Sequence, residues 1–146
     1  AEGMNIYFEY IQKWSPEVLH VRGEGINLQV LFASLLKGGK PHDSYVDEYI
    51  RSVNPDLIIT FIDNSLNFLT ISQRHKSIKT LFIQNGARYY YGDIFYTLDS
   101  IHPNNLKKLT VDYMMTFGET TRDYYHKYIS RTLLTSFFSP SDNFQR

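Results

Sequence analysis

Leu57-Ile58-Ile59-Thr60-Phe61-Ile62 followed by Asp63-Asn64, and Thr80-Leu81-Phe82-Ile83 followed by Gln84-Asn85-Gly86, are two short apolar runs that end abruptly in polar residues. One helix-length segment separates them. Continuous apolar runs suit strands buried on both faces of a parallel sheet, and a parallel pair needs a crossover long enough to hold a helix. The pair therefore predicts a βαβ unit. Its polar groups gather at the strands' carboxyl ends, the edge at which open parallel sheets bind ligands.

Toward the carboxyl terminus, Tyr113-Met114-Met115-Thr116-Phe117 reads as another buried strand and Gly118 as a turn. Residues 119–129 follow as a helix burying Tyr124, Tyr125, Tyr128 and Ile129. Leu133 to Phe138 reads as a last strand before a polar tail over 139–146. In the other direction, Leu28, Leu31, Phe32, Leu35 and Leu36 recur at helical spacing between Asn27 and the Gly38-Gly39 stop, predicting one amphipathic helix. Val46, Tyr49, Ile50 and Val53 share a face of a second, with Asp43 or Ser44 as cap and Asn54-Pro55 as stop. Asn64 or Ser65 caps a third, which runs to about Arg74 with Leu66, Leu69 and Phe68 inward. Ile6, Phe8 and Tyr10 alternate with Tyr7 and Glu9 as a first strand, while Ser15-Pro16-Glu17 could start a helix and Val18 to Val21 could equally be strand. Residues 88–93 form an aromatic, irregular stretch, and His102 to Asn105 a loop with at most a short helix after it. The expectation is an α/β fold: an open parallel sheet with strands at 57–62, 80–83 and 113–117, right-handed crossovers, and helices near 27–37, 44–54, 64–74 and 119–129 covering its faces. Residues 4–138 make up this domain. Ala1-Glu2-Gly3, ahead of Met4, suits an expression remnant or a mature terminus about equally.

Fifteen Lys and Arg balance fifteen Asp and Glu in 146 residues, with no basic block, so the long-range attraction behind most nucleic-acid binding is missing and a nucleic-acid partner is disfavoured. The chain has no cysteine, which rules out disulfides, thiolate chemistry and cysteine-bound zinc and is compatible with a cytoplasmic location. No apolar stretch reaches the roughly 18 residues of a membrane span. Among the five histidines no zinc spacing occurs, and His20 with Glu24 supplies too few ligands for a metal. Neither GxGxxG after a strand, nor a phosphate-binding loop, nor a GxSxG elbow is present.

The candidate chemistry lies at the strand ends. Asp63 could accept a proton from a hydroxyl or orient a sugar through paired hydrogen bonds; it could also cap the following helix together with Asn64. Gln84, Asn85 and Arg88 offer amide and guanidinium groups suited to hydroxyl-rich or anionic ligands, or to a hydrogen-bonded turn that Gly86 makes possible. Arg22 could hold a phosphate or carboxylate and Glu24 could act as base, unless the two form a surface ion pair. Tyr89, Tyr90 and Tyr91 with Phe95 and Tyr96 could stack on sugars or pack their segment against the sheet. Asp63, Asn85, Arg88 and Glu119 each stand just past a predicted parallel strand, so they should converge on one rim.

At Phe61 to Asn64, Phe82 to Gly86 and Tyr113 to Glu119, with Arg22-Gly23-Glu24 and Ile26-Asn27-Leu28, the chain resembles the amino-terminal half of bacterial surface-carbohydrate biosynthesis proteins of the O-antigen type. The likeness spans roughly residues 19–129, and the segment from Ser130 onward departs from the family's pattern. It implies a Rossmann-like open parallel sheet with helices on both faces, one half of a GT-B glycosyltransferase. The implied function is the acceptor-side domain of a sugar transferase, cytoplasmic and near the inner membrane face. Its nucleotide-sugar donor would sit on a second, carboxyl-terminal domain that this chain is too short to include, leaving no cofactor on the chain itself and no activity in isolation. Related enzymes of the glycerophosphotransferase kind carry a His-Gly pair where this chain has Asn85-Gly86, and an amide cannot serve as the base that histidine would be. A self-contained α/β binding or interaction module is the competing expectation, since fold alone does not choose between them.

Overall fold

A computed structural model describes residues 10–20, 25–38, 40–62, 64–86, 93–106, 109–129 and 133–134. The chain divides into two compact units, residues 1–55 and 56–146.

In the first unit the expected opening strand falls outside the described residues except for Tyr10, which is helical. A 3-10 turn over Gln12–Trp14 ends at Ser15, whose φ of 48° closes it. Residues 15–20 then run irregularly, so neither the helix nor the strand considered there forms. Helix α1 (Leu28–Lys37) begins as expected because the Asn27 side chain accepts hydrogen bonds from the Gln29 and Val30 N–H groups at 3.0 and 3.2 Å. Helix α2 (Pro41–Val53) starts ahead of the expected Asp43 or Ser44 cap. Proline's fixed φ suits the first helical position, and Ser44, now inside the helix, donates its hydroxyl to the Gly38 carbonyl at 2.8 Å.

The two helices pack on each other, burying Val30 and Ser34 of α1 and Val46 and Ile50 of α2. The leucine stripe of α1 takes no part in this. Leu28, Phe32, Leu35 and Leu36 are 64, 65, 59 and 89% exposed. Helical geometry explains the inversion: Val30 and Ser34 lie on the opposite side of the cylinder from the stripe, and their small side chains let the two backbones approach.

In the second unit, strands β1 (Leu57–Thr60), β2 (Lys79–Ile83), β3 (Tyr113–Met115) and β4 (Leu133–Leu134) form one parallel sheet in the order β1-β2-β3-β4. This is the α/β, Rossmann-like architecture that the apolar runs predict. β2 covers its run and starts one residue ahead of it, at Lys79, whereas β1 and β3 are shorter than theirs, because polar side chains end the ladder early. The Thr60 hydroxyl accepts the Ile62 N–H at 3.0 Å, and the Phe117 N–H turns aside to a side chain of the neighbouring loop. The third expected helix shrinks to a 3-10 turn over Phe68–Thr70 and a short α3 (Ile71–Arg74), and Ser65, one of the two expected caps, accepts the Phe68 N–H ahead of them at 3.4 Å. Helices α4 (Ile94–Asp99), α5 (Pro103–Leu106) and α6 (Gly118–His126) follow.

Strand periodicity divides the sheet into two faces. Ile58, Thr60, Thr80, Phe82 and Met114 share one, through the register Ile58 to Thr80, Thr60 to Phe82 and Phe82 to Met114. Thr80 and Phe82 are fully buried there, and Phe82 meets Tyr125 edge-on at 5.4 Å and Phe68 at 6.4 Å between ring centroids. Phe95 extends the cluster, 5.1 Å from Tyr124 and 4.9 Å from Tyr125. On the other face Leu57, Tyr113 and Met115 are partly exposed.

Asp112 locks the amino-terminal edge of the sheet. Its carboxylate accepts from Lys79 Nζ at 3.1 Å and from both the N–H and the hydroxyl of Thr80 at 3.0 Å, while its own N–H donates back to Thr80 Oγ1. Burial alone would raise the Asp112 pKa, but the hydrogen bonds from Lys79 and Thr80 outweigh it and hold the carboxyl below the usual aspartate range. A group with a depressed folded-state pKa stabilises the fold above the unfolded value of about 3.9 and loses that contribution as pH falls through the folded one. Asp112→Asn should therefore cost about 1–2 kcal/mol at neutral pH and flatten the fall in stability below about pH 4. Urea unfolding between pH 3 and pH 7 measures both; an unchanged acid slope would refute the assignment.

Candidate functional site

Parallel pairing sets the carboxyl ends of β1, β2 and β3 along one edge. What shapes this edge is Gln84, which is 1% exposed. Its N–H donates to the Met115 carbonyl at 2.9 Å, its Oε1 accepts the Phe117 N–H at 2.6 Å, and its Nε2 donates to the Gly86 carbonyl at 2.7 Å. One side-chain amide thus ties the loop leaving β2 to the turn leaving β3, using its acceptor on one and its donor on the other. The sequence reading offers Gln84 as a ligand-binding group; in the structure its side chain is committed to the protein. The signal for this was available: positions 80, 82 and 84 continue the strand alternation, so Gln84 follows Thr80 and Phe82 into the covered face.

Asn85, next in the chain, is exposed. Glu119 sits in the first turn of α6 with its side chain 72% exposed and 3.7 Å from the Arg122 guanidinium. A carboxylate there complements the positive end of the helix. Gly118, at φ 77°, makes the sharp change of direction from β3 into α6, a conformation closed to most side chains, and the Thr116 hydroxyl donates to its carbonyl at 3.3 Å. The Gln84 brace therefore ties the loop that carries Asn85 to the turn that leads into Glu119. Sequence reasoning passed over Thr116 and the exposed Thr120, which belong to the same turn.

Arg22, Glu24, Asp63 and Arg88 lie outside the described residues, as do Tyr89, Tyr90 and Tyr91. Of the remaining aromatic candidates, Phe95 is 3% exposed and packs in the core, while Tyr96 is 59% exposed on α4. Among the described residues no group of three His, Cys, Asp or Glu side chains could hold a metal ion, and no helix is long and apolar enough to cross a membrane.

Residues 81–143 match a protein family described as "putative O-antigen biosynthesis protein". The match begins in β2, contains the rim segments from Gln84 to Glu119, and continues past Ser130, where the resemblance had been expected to lapse. It links the chain to O-antigen biosynthesis without specifying a reaction. No curated protein and no solved structure matches the chain.

Proposed function

We propose that this chain is the acceptor-side domain of a GT-B-like sugar transferase in bacterial surface-polysaccharide biosynthesis, with the acceptor bound along the carboxyl edge of β1, β2 and β3. The observation that carries this reading is the braced rim: the segments from Gln84 to Glu119 lie within the O-antigen family match, and Gln84 gathers two of its loops. Asn85 offers an amide donor and acceptor to neighbouring hydroxyls, and Glu119 a carboxylate acceptor. Asp63 would take the proton from the acceptor hydroxyl as its oxygen attacks the donor's anomeric carbon and the nucleotide diphosphate departs. Arg88 suits an anionic substituent. The nucleotide-sugar donor would be held by a second domain.

Asn85→Ala and Glu119→Gln change exposed groups, so each should leave stability within about 0.5 kcal/mol of wild type. Both should weaken acceptor binding by about tenfold or more, as expected when a site's hydrogen-bonding groups are lost. Titration of surface-polysaccharide oligosaccharides by calorimetry reads the effect, with sugar transfer by a two-domain protein as the second readout. Wild-type binding by both variants would defeat the site assignment, and efficient transfer by this chain alone would defeat the two-domain reading.

A further inference from the structure

The loop that leaves β2 contains a residue pair whose own chemistry acceptor binding does not use. Asn85 is followed by Gly86, and no other asparagine in the chain precedes glycine. Leu28, Pro55, Ser65, Phe68, Asn105 and Leu106 follow the other asparagines among the described residues. Asparagine is a labile residue, and most labile beside glycine, where no side chain shields the nitrogen that attacks its amide.

The fold does not demand glycine at this position. Gly38 and Gly118 take positive φ whereas Gly86 does not, and a methyl group placed on its Cα would meet no atom within 4 Å. An alanine would therefore fit. What glycine confers here is an unobstructed backbone nitrogen. Asn85 is exposed, so water and hydroxide can reach its amide.

We propose that Asn85 and Gly86 form a self-modifying site that converts the Asn85 side-chain amide into a carboxylate. Hydroxide takes the proton of the Gly86 N–H, and the nitrogen attacks Asn85 Cγ. The N–Cγ bond forms as the Cγ–Nδ2 bond breaks, and Nδ2 leaves as ammonia with a proton from water. Water then opens the cyclic imide. Cleavage between the Gly86 nitrogen and Cγ yields aspartate, whereas cleavage between that nitrogen and the Asn85 carbonyl carbon yields isoaspartate, its main chain rerouted through Cβ and Cγ. The balance is one water consumed and one ammonia released. Both products remove the amide donor and add a negative charge to the loop. Isoaspartate also lengthens the main chain between Gln84 and Gly86 by one carbon–carbon bond, about 1.5 Å. The Gln84 Nε2 hydrogen bond to the Gly86 carbonyl, at 2.7 Å, spans this stretch, so the brace breaks or the loop rearranges around it. The modification itself is independent of sugar transfer; its effect on an acceptor rests on the transferase reading of the rim.

The test is to incubate the folded full chain at mildly alkaline pH and physiological temperature and to follow its peptides by mass spectrometry. The peptide carrying Asn85 and Gly86 should gain the mass of NH2 replaced by OH and separate into two forms, one of which isoaspartyl methyltransferase labels. Peptides carrying Asn27, Asn64, Asn67 and Asn104 should stay unchanged. Gly86→Ala should fold normally and slow the conversion at least about tenfold, a barrier higher by about 1.4 kcal/mol. In the isoaspartyl form the Gln84 side-chain amide and the Phe117 N–H resonances should shift. An intact Asn85 amide under conditions that convert the urea-unfolded chain would overturn the proposal, as would earlier reaction of another asparagine or an undiminished rate in Gly86→Ala. Conversion that leaves acceptor binding unchanged would count against the rim, with the modification standing.

Discussion

Phe82→Ala is expected to destabilise the sheet-bearing unit by about 3–5 kcal/mol, the range for emptying a fully buried aromatic site. Phe82 has no exposed surface and occupies the middle of β2, between Thr60 of β1 and Met114 of β3. Its ring is the meeting point of Phe68 and Tyr125, so one substitution removes the edge-on contact with Tyr125 at 5.4 Å and the contact with Phe68 together. The three rings come from separate segments of the unit, and relaxation around the vacated space would require all three to move. Against a total stability of about 5–15 kcal/mol for ordinary domains, such a loss leaves the unit near its unfolding threshold. Urea unfolding followed by far-ultraviolet circular dichroism measures it. A loss below about 1 kcal/mol, the size of a surface effect, would mean that this cluster is not the centre of the core.

Gln84→Leu should be the most damaging change at the rim. Leucine fills a similar volume but leaves the Phe117 N–H and the Gly86 carbonyl without their partner, and stranded buried groups cost about 1–3 kcal/mol each. The expected loss is about 2–4 kcal/mol on that basis. Amide resonances of Asn85 and of Gly118 and Glu119 should shift together. Gln84→Glu adds a sign to the test. Burial raises a carboxyl's pKa, so the protonated form can both accept and donate, and stability should be retained at low pH and lost as pH rises above the ordinary glutamate value of about 4.3. If Gln84→Leu is as stable as wild type and moves only its immediate neighbours, the brace is not what shapes the rim.

The parallel sheet was legible because its signal is long and one-dimensional: apolar runs at 57–62, 80–83 and 113–117, each ended by polar residues, with room for a helix between them. Element ends were less so. They depend on single side-chain choices, such as the Thr60 hydroxyl taking the Ile62 N–H or Pro41 opening α2 ahead of Ser44, which propensity does not rank. The α1 stripe shows a different limit. Periodicity at Leu28, Phe32, Leu35 and Leu36 locates a helix and its apolar face, but which face meets the neighbouring helix is decided in three dimensions. Asn85 follows the end of β2 and Glu119 opens the helix after β3, while the role of Gln84 depended on the partners awaiting it across the sheet.

The order β1-β2-β3-β4 also bears on how the chain reaches its structure. Each strand pairs with the one next in sequence: Leu57 with Lys79, Leu81 with Tyr113, Tyr113 with Leu133. No pairing must wait for a distant segment, so the entropy lost on loop closure is limited to a single crossover at each step. A chain emerging from the ribosome can therefore add strands in the order in which they are made, each onto an edge already formed. Local pairing of this kind favours fast folding among parallel sheets, and a circular permutation that placed β1 after β4 would abolish it, turning the first pairing into the longest closure and slowing refolding.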